Sequence, residues 1–373
     1  MAVRKRVFIS DLHMGFQEAS PSSGEYPYVR LTESGAKAVS CFLQWIRECE
    51  DISELILVGD ILDRWCYPVD VFPPSYDQIA NAPDNREITQ QLKALSQTPG
   101  IMVYYLPGNH DQDMNRVTVN RIFPGMVFIG DELGHGIFRR GRLRAEHGSV
   151  FSLFNGPDPV NAPVSRLPLG YFIERIWASH ARKTGMESHS GPGCLSYIDD
   201  LYKCSGPKTI SSRAFEMFVR EAGLDLDTPI VGVPGEFDPS GSVTARRIRD
   251  RYQHLYDQRD SLGTDESGRS ALGALFADKT LGLIADDLCR PGGTNLVIFG
   301  HSHAAELDRD WLLVDDKIYA NCGTWCDPDR PRTFIVTFED AEKDQHIVRQ
   351  MRWENGNPWI FNEAWVWLST QGD

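Results

Sequence analysis

Four short, uninterrupted apolar runs punctuate the chain: "RVFIS" (6–10), "ELILVGD" (54–60), "IMVYYLPG" (101–108) and "NLVIFG" (295–300). Runs of this length without polar alternation mark strands covered on both faces. Between the first two, Val39, Phe42, Leu43 and Ile46 recur at steps of three and four, the period of a helix that buries one side. Thr32 or Ser34 is placed to cap its start. Strand, helix, strand predicts a layered α/β core. Near the C-terminus, "TFIVTFED" (333–340) and "HIVRQMRW" (346–353) alternate more strictly and predict an antiparallel hairpin closing the sheet.

Two stretches read as long loops, 14–31 and 64–90. Loops of such length in a compact domain tend to be functional or disordered. A larger interruption runs from 150 to 290. It contains the helical patterns "YFIERIWASHARKTGM", "SRAFEMFVREAGL" and "VTARRIRDRYQHLYDQRD", the last with an apolar stripe of Ile248, Tyr252, Leu255 and Tyr256. The division expected is a core built from 1–149 and 291–373, with 150–290 as a helical cap.

Composition narrows the function. At 373 residues the chain exceeds the usual single core, which leaves room for such an insertion. A net charge of -14 disfavours a protein whose main task is gripping nucleic acid, although a local basic cleft stays open. No segment approaches the roughly 20 apolar residues of a membrane-spanning helix. The N-terminus runs straight into the first strand without an apolar signal region, so a cytoplasmic location is expected. The eight cysteines form no C-x-x-C pair and read as buried free thiols. Oligomeric state is not legible.

Each expected core strand ends on metal-grade side chains. "VFIS" leads to Asp11 and His13; "LILVGD" ends on Asp60, with Asp63 following; "VYYLPGNHD" supplies Asn109, His110 and Asp111. "RLRAEHG" gives His147, and "LVIFGHSH" gives His301 and His303. Ligands in open α/β sheets sit beyond the carboxyl ends of strands, so these groups are expected on one rim. Imidazole, carboxylate and amide oxygen suit two divalent ions, manganese foremost, with iron or zinc as alternatives. Two ions roughly 3.5–4 Å apart would share a water and lower its pKa, and the resulting hydroxide would attack phosphorus in line with the leaving group. Asp60, just after Gly59, is placed to approach both.

"DLH", "GDILD", "GNHD", the later "HG" and "GHSH" closely resemble the calcineurin-like metallophosphoesterases, over about 1–150 and 292–345. The resemblance implies a four-layer αββα sandwich of two mixed sheets with a dinuclear site on one edge. It implies Asp11, His13, Asp60 and His303 as ligands of one metal, and Asp60, Asn109, His147 and His301 as ligands of the other. His110 would contact the phosphate and protonate the leaving group, and Asp63 would orient His110. His135, in "GHG", competes with His147; ending an extended run favours His147. "GDILDRW" and "YANCGTWCD" look like the branch containing UDP-2,3-diacylglucosamine hydrolases, which cleave a pyrophosphate bond.

The function expected is therefore hydrolysis of a phosphoester or pyrophosphate bond in a small or medium-sized phosphorylated molecule. The alternatives are a nuclease of the same superfamily and a non-catalytic scaffold on the same fold. Arg246, Arg247, Arg249 and Arg251 form a basic cluster that either meets substrate phosphate or lies on a solvated helix face. Phe151 and Phe154 are placed to form a pocket wall or only a hinge. Trp65 and Trp325 read as core aromatics, and Trp353, Trp359, Trp365 and Trp367 as packing onto the domain.

Overall fold

Alternate residues of each apolar run face different cores, which is why the runs carry no polar positions. The computed structural model describes residues 4–16, 31–132, 134–152, 155–156, 167–184, 210–235, 237–261, 277–289, 293–308 and 316–368. In chain order these form β1 (Lys5–Ile9), α1 (Glu33–Glu48), β2 (Ile52–Val58), α2 (Tyr76–Asn81), α3 (Arg86–Ser96), β3 (Met102–Leu106), α4 (Arg116–Ile122) and β4 (Val127–Phe128). There follow β5 (Phe138–Arg140), β6 (Leu143–Ala145), α5 (Leu169–Thr184), α6 (Ile210–Glu221), β7 (Pro229–Val231), β8 (Ser242–Thr244), α7 (Ala245–Ser261) and α8 (Ala277–Cys289). The chain then returns through β9 (Leu296–Phe299), β10 (Glu306–Asp308), β11 (Ile318–Asn321), β12 (Thr333–Asp340), β13 (Gln345–Glu354) and β14 (Asn357–Trp367).

The first sheet has the order β14-β13-β12-β1-β2-β3-β4, with β1 to β4 parallel and β12 to β14 antiparallel. The second has the order β10-β11-β9-β6-β5. Val7 and Ile9 of β1, with Leu55 and Leu57 of β2, pack on the helices that carry Val39, Phe42 and Ile88. Phe8, Ile56 and Val58 point the other way, against Leu296, Ile298 and Ile318 of the second sheet. The far face of that sheet, Val297 and Phe299, is covered by Leu281 and Ile284 of α8. Helix, sheet, sheet, helix is the four-layer sandwich expected, and both sheets are mixed.

Thr32 is the residue that caps α1, accepting from the amide of Gly35. The stretch 64–90 is less loop-like than its sequence reads, because α2 and the start of α3 lie in it; the side chain of Ser75 caps α2 in a capping box with Gln78. Between 150 and 290, α5, α6, α7 and the β7–β8 hairpin close a separate apolar core of Phe172, Phe215, Phe218, Ile230, Ile248 and Tyr252. Trp65 and Val69 reach into this core from the loop after β2. Leu255, Tyr256 and Phe154 lie outside the side chains described. Among the described residues, no helix is long and apolar enough to cross a membrane.

Candidate metal centre

The loops after β1, β2, β3, β6 and β9 meet on one edge of the sandwich. The amide of Asp11 donates to the carbonyl of Gly59 at 3.1 Å, and that of His13 to the carbonyl of Asp60 at 2.9 Å, so the first two loops are laced together. Asp111 is buried and fastens the next pair. Its carboxylate accepts from the amides of Asp60, Ile61, Leu62 and Gly108 and from the Tyr105 hydroxyl. Asp11, His13, Asp60, His301 and His303 all have positive φ, between 47° and 68°. Non-glycine residues adopt this region at a cost, and its concentration on five neighbouring strand-end side chains marks a functional edge. Gly59 and Gly108 make the crowding possible. A Cβ on Gly59 would lie 2.6 Å from His147 Nδ1, and one on Gly108 would lie 2.2 Å from Asp60 Oδ1.

The side chains converge tightly. His13 Nε2 lies 3.2 Å from His303 Nε2, and Asp11 Oδ1 lies 3.3 Å from the latter. Asp60 Oδ2 stands 3.6 Å from His13 Nε2 and 3.1 Å from His147 Nε2, between the two halves of the site. His147 Nε2 is also 3.1 Å from Asn109 Oδ1, and its ring centroid is 5.2 Å from that of His301. Asp60, His147 and His301 offer ligand atoms within 4.8 Å of one another, as do His13, Asp60 and His110. The remaining ring nitrogens are committed elsewhere: His13 Nδ1 to Asp63 at 2.8 Å, His303 Nδ1 to Asp327 at 2.9 Å, and His147 Nδ1 to the carbonyl of Val58 at 2.8 Å.

Those partners are all acceptors, so they fix the proton on each Nδ1 and turn three Nε2 lone pairs toward two carboxylates. Asp11 Oδ1 is buried with no hydrogen-bond donor among the described residues, and the His303 Nε2 3.3 Å away faces it as one more lone pair. A set of lone pairs facing carboxylate oxygens is repulsive unless cations sit among them, and its donor chemistry fits divalent metals. Protons take that place when metal is lacking. Burial opposes the charging of His147, but Asp60 and Asp11 beside it push its pKa up to about 9.

Asp63 serves two rings, because its other oxygen lies 2.9 Å from Nδ1 of His110. Trp65 is not only a core residue: its indole stacks on the His110 ring at 4.4 Å between centroids. Trp325 is core, buried with its Nε1 donating to the carbonyl of Thr333. His135 bonds to Glu146 at 2.5 Å, whereas His147 faces Asp60 and Asn109. Above the rim is a cleft of about 160 Å³ whose lining includes Asp60, Trp65, Asn109, His110, His301 and His303. From the stretch 150–290 come Asn155, Gly170 and Glu174. The four arginines do not line this cleft. Arg246 pairs with Asp227, Arg247 with Asp238 and Arg249 with Glu216, all carboxylates of the insertion, and Arg251 lies over the ring of Phe237. Phe151 packs on Phe299.

Glu174, Asn155, Cys66 and Cys326 also stand at the site, and no local pattern in the sequence marks them. Cys66 Sγ donates to Asp63 at 3.1 Å and lies 3.4 Å from Glu174, and Cys326 sits within 4.8 Å of ligand atoms of His13 and His303. Not all the thiols are buried, since Cys41 is exposed.

This is the edge of a metallophosphoesterase fold, and the chain belongs to the calcineurin-like phosphoesterase family, whose sequence model matches residues 5–305. No curated protein matches. Solved structures similar to it include Vacuolar Protein Sorting 29 from Cryptosporidium parvum, at 10% identity and a TM-score of 0.35, covering 98% of this chain and 100% of that one. GAP50, described as the anchor in the inner membrane complex of Plasmodium, shares 10% identity at a TM-score of 0.40, covering 99% and 90%. The calcineurin-like phosphoesterase YfkN from Bacillus subtilis shares 8% at 0.32, covering 98% and 91%.

Proposed function

We propose that the chain is a dinuclear metal-dependent phosphoesterase acting on a phosphoester or pyrophosphate bond of a small or medium-sized phosphorylated molecule. The observation that carries this reading is the convergence of lone pairs on Asp60 Oδ2, which lies within 3.6 Å of His13 Nε2 on one side and 3.1 Å of His147 Nε2 on the other. Asp11, His13, Asp60 and His303 would hold one ion, and Asp60, Asn109, His147 and His301 the second. When bound, the two ions, manganese, iron or zinc, supply Lewis acidity and a water nucleophile at neutral pH.

The chain's own residues then position and protonate. Asp63 fixes the His13 ring through Nδ1, and Trp65 clamps His110 face to face. Burial lowers the pKa of His110, with Asp63 and Asp60 opposing. A phosphate arriving in the cleft adds negative charge and favours the imidazolium. His110 would then contact the phosphate and pass a proton to the leaving-group oxygen. Glu174 presents a carboxylate to the same cleft, which favours a substrate with a hydroxyl or amine near the scissile phosphate. The residues of 150–290 that overhang the rim act as the cap that selects it.

Hydrolysis of bis(p-nitrophenyl) phosphate and p-nitrophenyl phosphate, with manganese and with chelator, tests the reading. Manganese-dependent turnover abolished by Asp60→Ala is expected. A metal-loaded chain inert on diester, monoester and pyrophosphate compounds alike would favour the scaffold alternative.

A further inference from the structure

Away from the metal-centre cleft lies a second concavity of about 400 Å³, whose lining includes Ser34, Lys37, Arg330, Arg332, Arg352 and Glu354. Lys37, Arg332 and Arg352, with Arg330 beside them, line it together with the single carboxylate of Glu354, on a chain of net charge -14. Their partners are poor. Among the described residues, Arg332 Nε is buried without a hydrogen-bond partner, and its terminal nitrogen reaches Ser34 Oγ alone, at 3.5 Å. Arg352 stands 3.5 Å from Glu354 with both side chains nearly half exposed, a geometry of little net attraction. Lys37, in the first two turns of α1, has no ion pair among the described residues. Arg330 is the exception and turns the other way, donating to the carbonyl of His303 at 2.6 Å and lying 3.6 Å from Asp327. Like charges gathered from a helix, a strand and a loop repel one another unless an anion lies between them. Guanidinium forks match phosphate oxygens in pairs.

We propose that this groove binds the phosphate group of a phosphorylated compound, at a site separate from the metal centre. Its volume falls within the range of small-molecule sites and exceeds a bare phosphate. The source is either a free compound or a lipid headgroup. Arg352 pairs across the sheet with Trp359, which is 61% exposed and is followed by the exposed Ile360 and Phe361, so an anionic lipid would meet the same cations.

Titrating inorganic phosphate calorimetrically into the 373-residue Asp60→Ala chain, with chelator and at low ionic strength, removes metal-held phosphate, and the arginine substitutions then separate the groove from whatever phosphate the imidazoles of the cleft retain. Binding of one phosphate per chain is expected, at least tenfold weaker when Arg332→Gln and Arg352→Gln are added. Should that chain misfold, Lys37→Gln on the exposed helix face is expected to weaken binding about threefold. Sedimentation with vesicles of phosphatidylcholine, with and without phosphatidic acid, separates the sources. Capture by phosphatidic acid that is lost with Arg332→Gln assigns a lipid, and phosphate binding without capture assigns a free compound. Phosphate affinity unchanged by these substitutions, or neither phosphate binding nor capture, overturns the site.

Discussion

Arg175 of α5 is fully buried, and the carboxylate next to it in sequence, Glu174, points into the metal-centre cleft. Its guanidinium donates to the carbonyls of Tyr67 at 3.1 Å, Pro68 at 2.8 Å, Val69 at 3.4 Å, Val71 at 2.5 Å and Val231 at 2.5 Å. One side chain thus joins the loop after β2, α5 and the β7–β8 hairpin. Arg175→Met keeps the aliphatic length and removes every donor. Three of the five bonds, to Tyr67, Pro68 and Val69, are fully buried. Losing these three buried bonds costs about 1 kcal/mol each, about 3 kcal/mol together; the Pro68 and Val69 carbonyls keep bonds from the amides of Val71 and Val231, so the loss is of hydrogen bonds rather than of every partner. That loss is local, so it is read by hydrogen exchange of the amides the loop protects: Val231, bonded to the carbonyl of Val69, and Val69, bonded to Ser179 Oγ. An opening free energy lower by about 3 kcal/mol speeds exchange about 100-fold. Exchange within threefold of the unaltered chain would mean the carbonyls find other partners and the guanidinium is not what fastens α5 to the loop after β2.

Other substitutions probe different joints. His346 is buried on β13, and desolvation, with Arg6 nearby, lowers its pKa to about 4. The unfolded chain therefore binds a proton the native chain refuses as pH falls from about 6.5 to 4, and about 3 kcal/mol of stability is lost across that window; urea midpoints of His346→Leu should fall less steeply there, and an unchanged slope would clear His346 of the role. Asp111→Asn leaves one acceptor oxygen for five donors and should cost about 2–3 kcal/mol in urea unfolding; a cost under about 0.5 kcal/mol would show the loops hold without it. Gly108→Ala drives a Cβ into Asp60 Oδ1 and should lower bound metal with little change in far-ultraviolet circular dichroism, whereas full metal content would show that the loop yields. Metal counted in His147→Ala should fall and in His135→Ala should persist, and the reverse would exchange their roles.

The parts of the fold readable in advance are those where local pattern and burial coincide. Val7-Phe8-Ile9 and the 55–58 run are apolar because alternate residues face different cores, and a continuous run is the only sequence solution to that demand. The strand-end motifs stood out because carboxylates and imidazoles are costly at the mouth of a buried strand. α2 was obscured by Pro73 and Pro74, which punctuate the sequence just before its Ser75 cap. β14 was hidden by its own composition: read as packing, Trp359 is instead exposed at the sheet edge, while Trp353 packs on Phe42 and Trp45. Glu174 carried no local signal at all, since only the seating of α5 over the rim brings a surface-type carboxylate into the cleft. Trp65 looked like core because it is buried; that its buried face is shared with His110 is a tertiary fact.

A dinuclear centre is tested by the number of metal ions per chain, measured by elemental analysis after loading with manganese and desalting, in the unaltered protein and in Asp60→Ala. Two ions per chain are expected and, because Asp60 lies between both proposed ligand sets, near-complete loss of both in the variant. One ion per chain, or a variant that still carries two, would contradict a dinuclear centre bridged by Asp60.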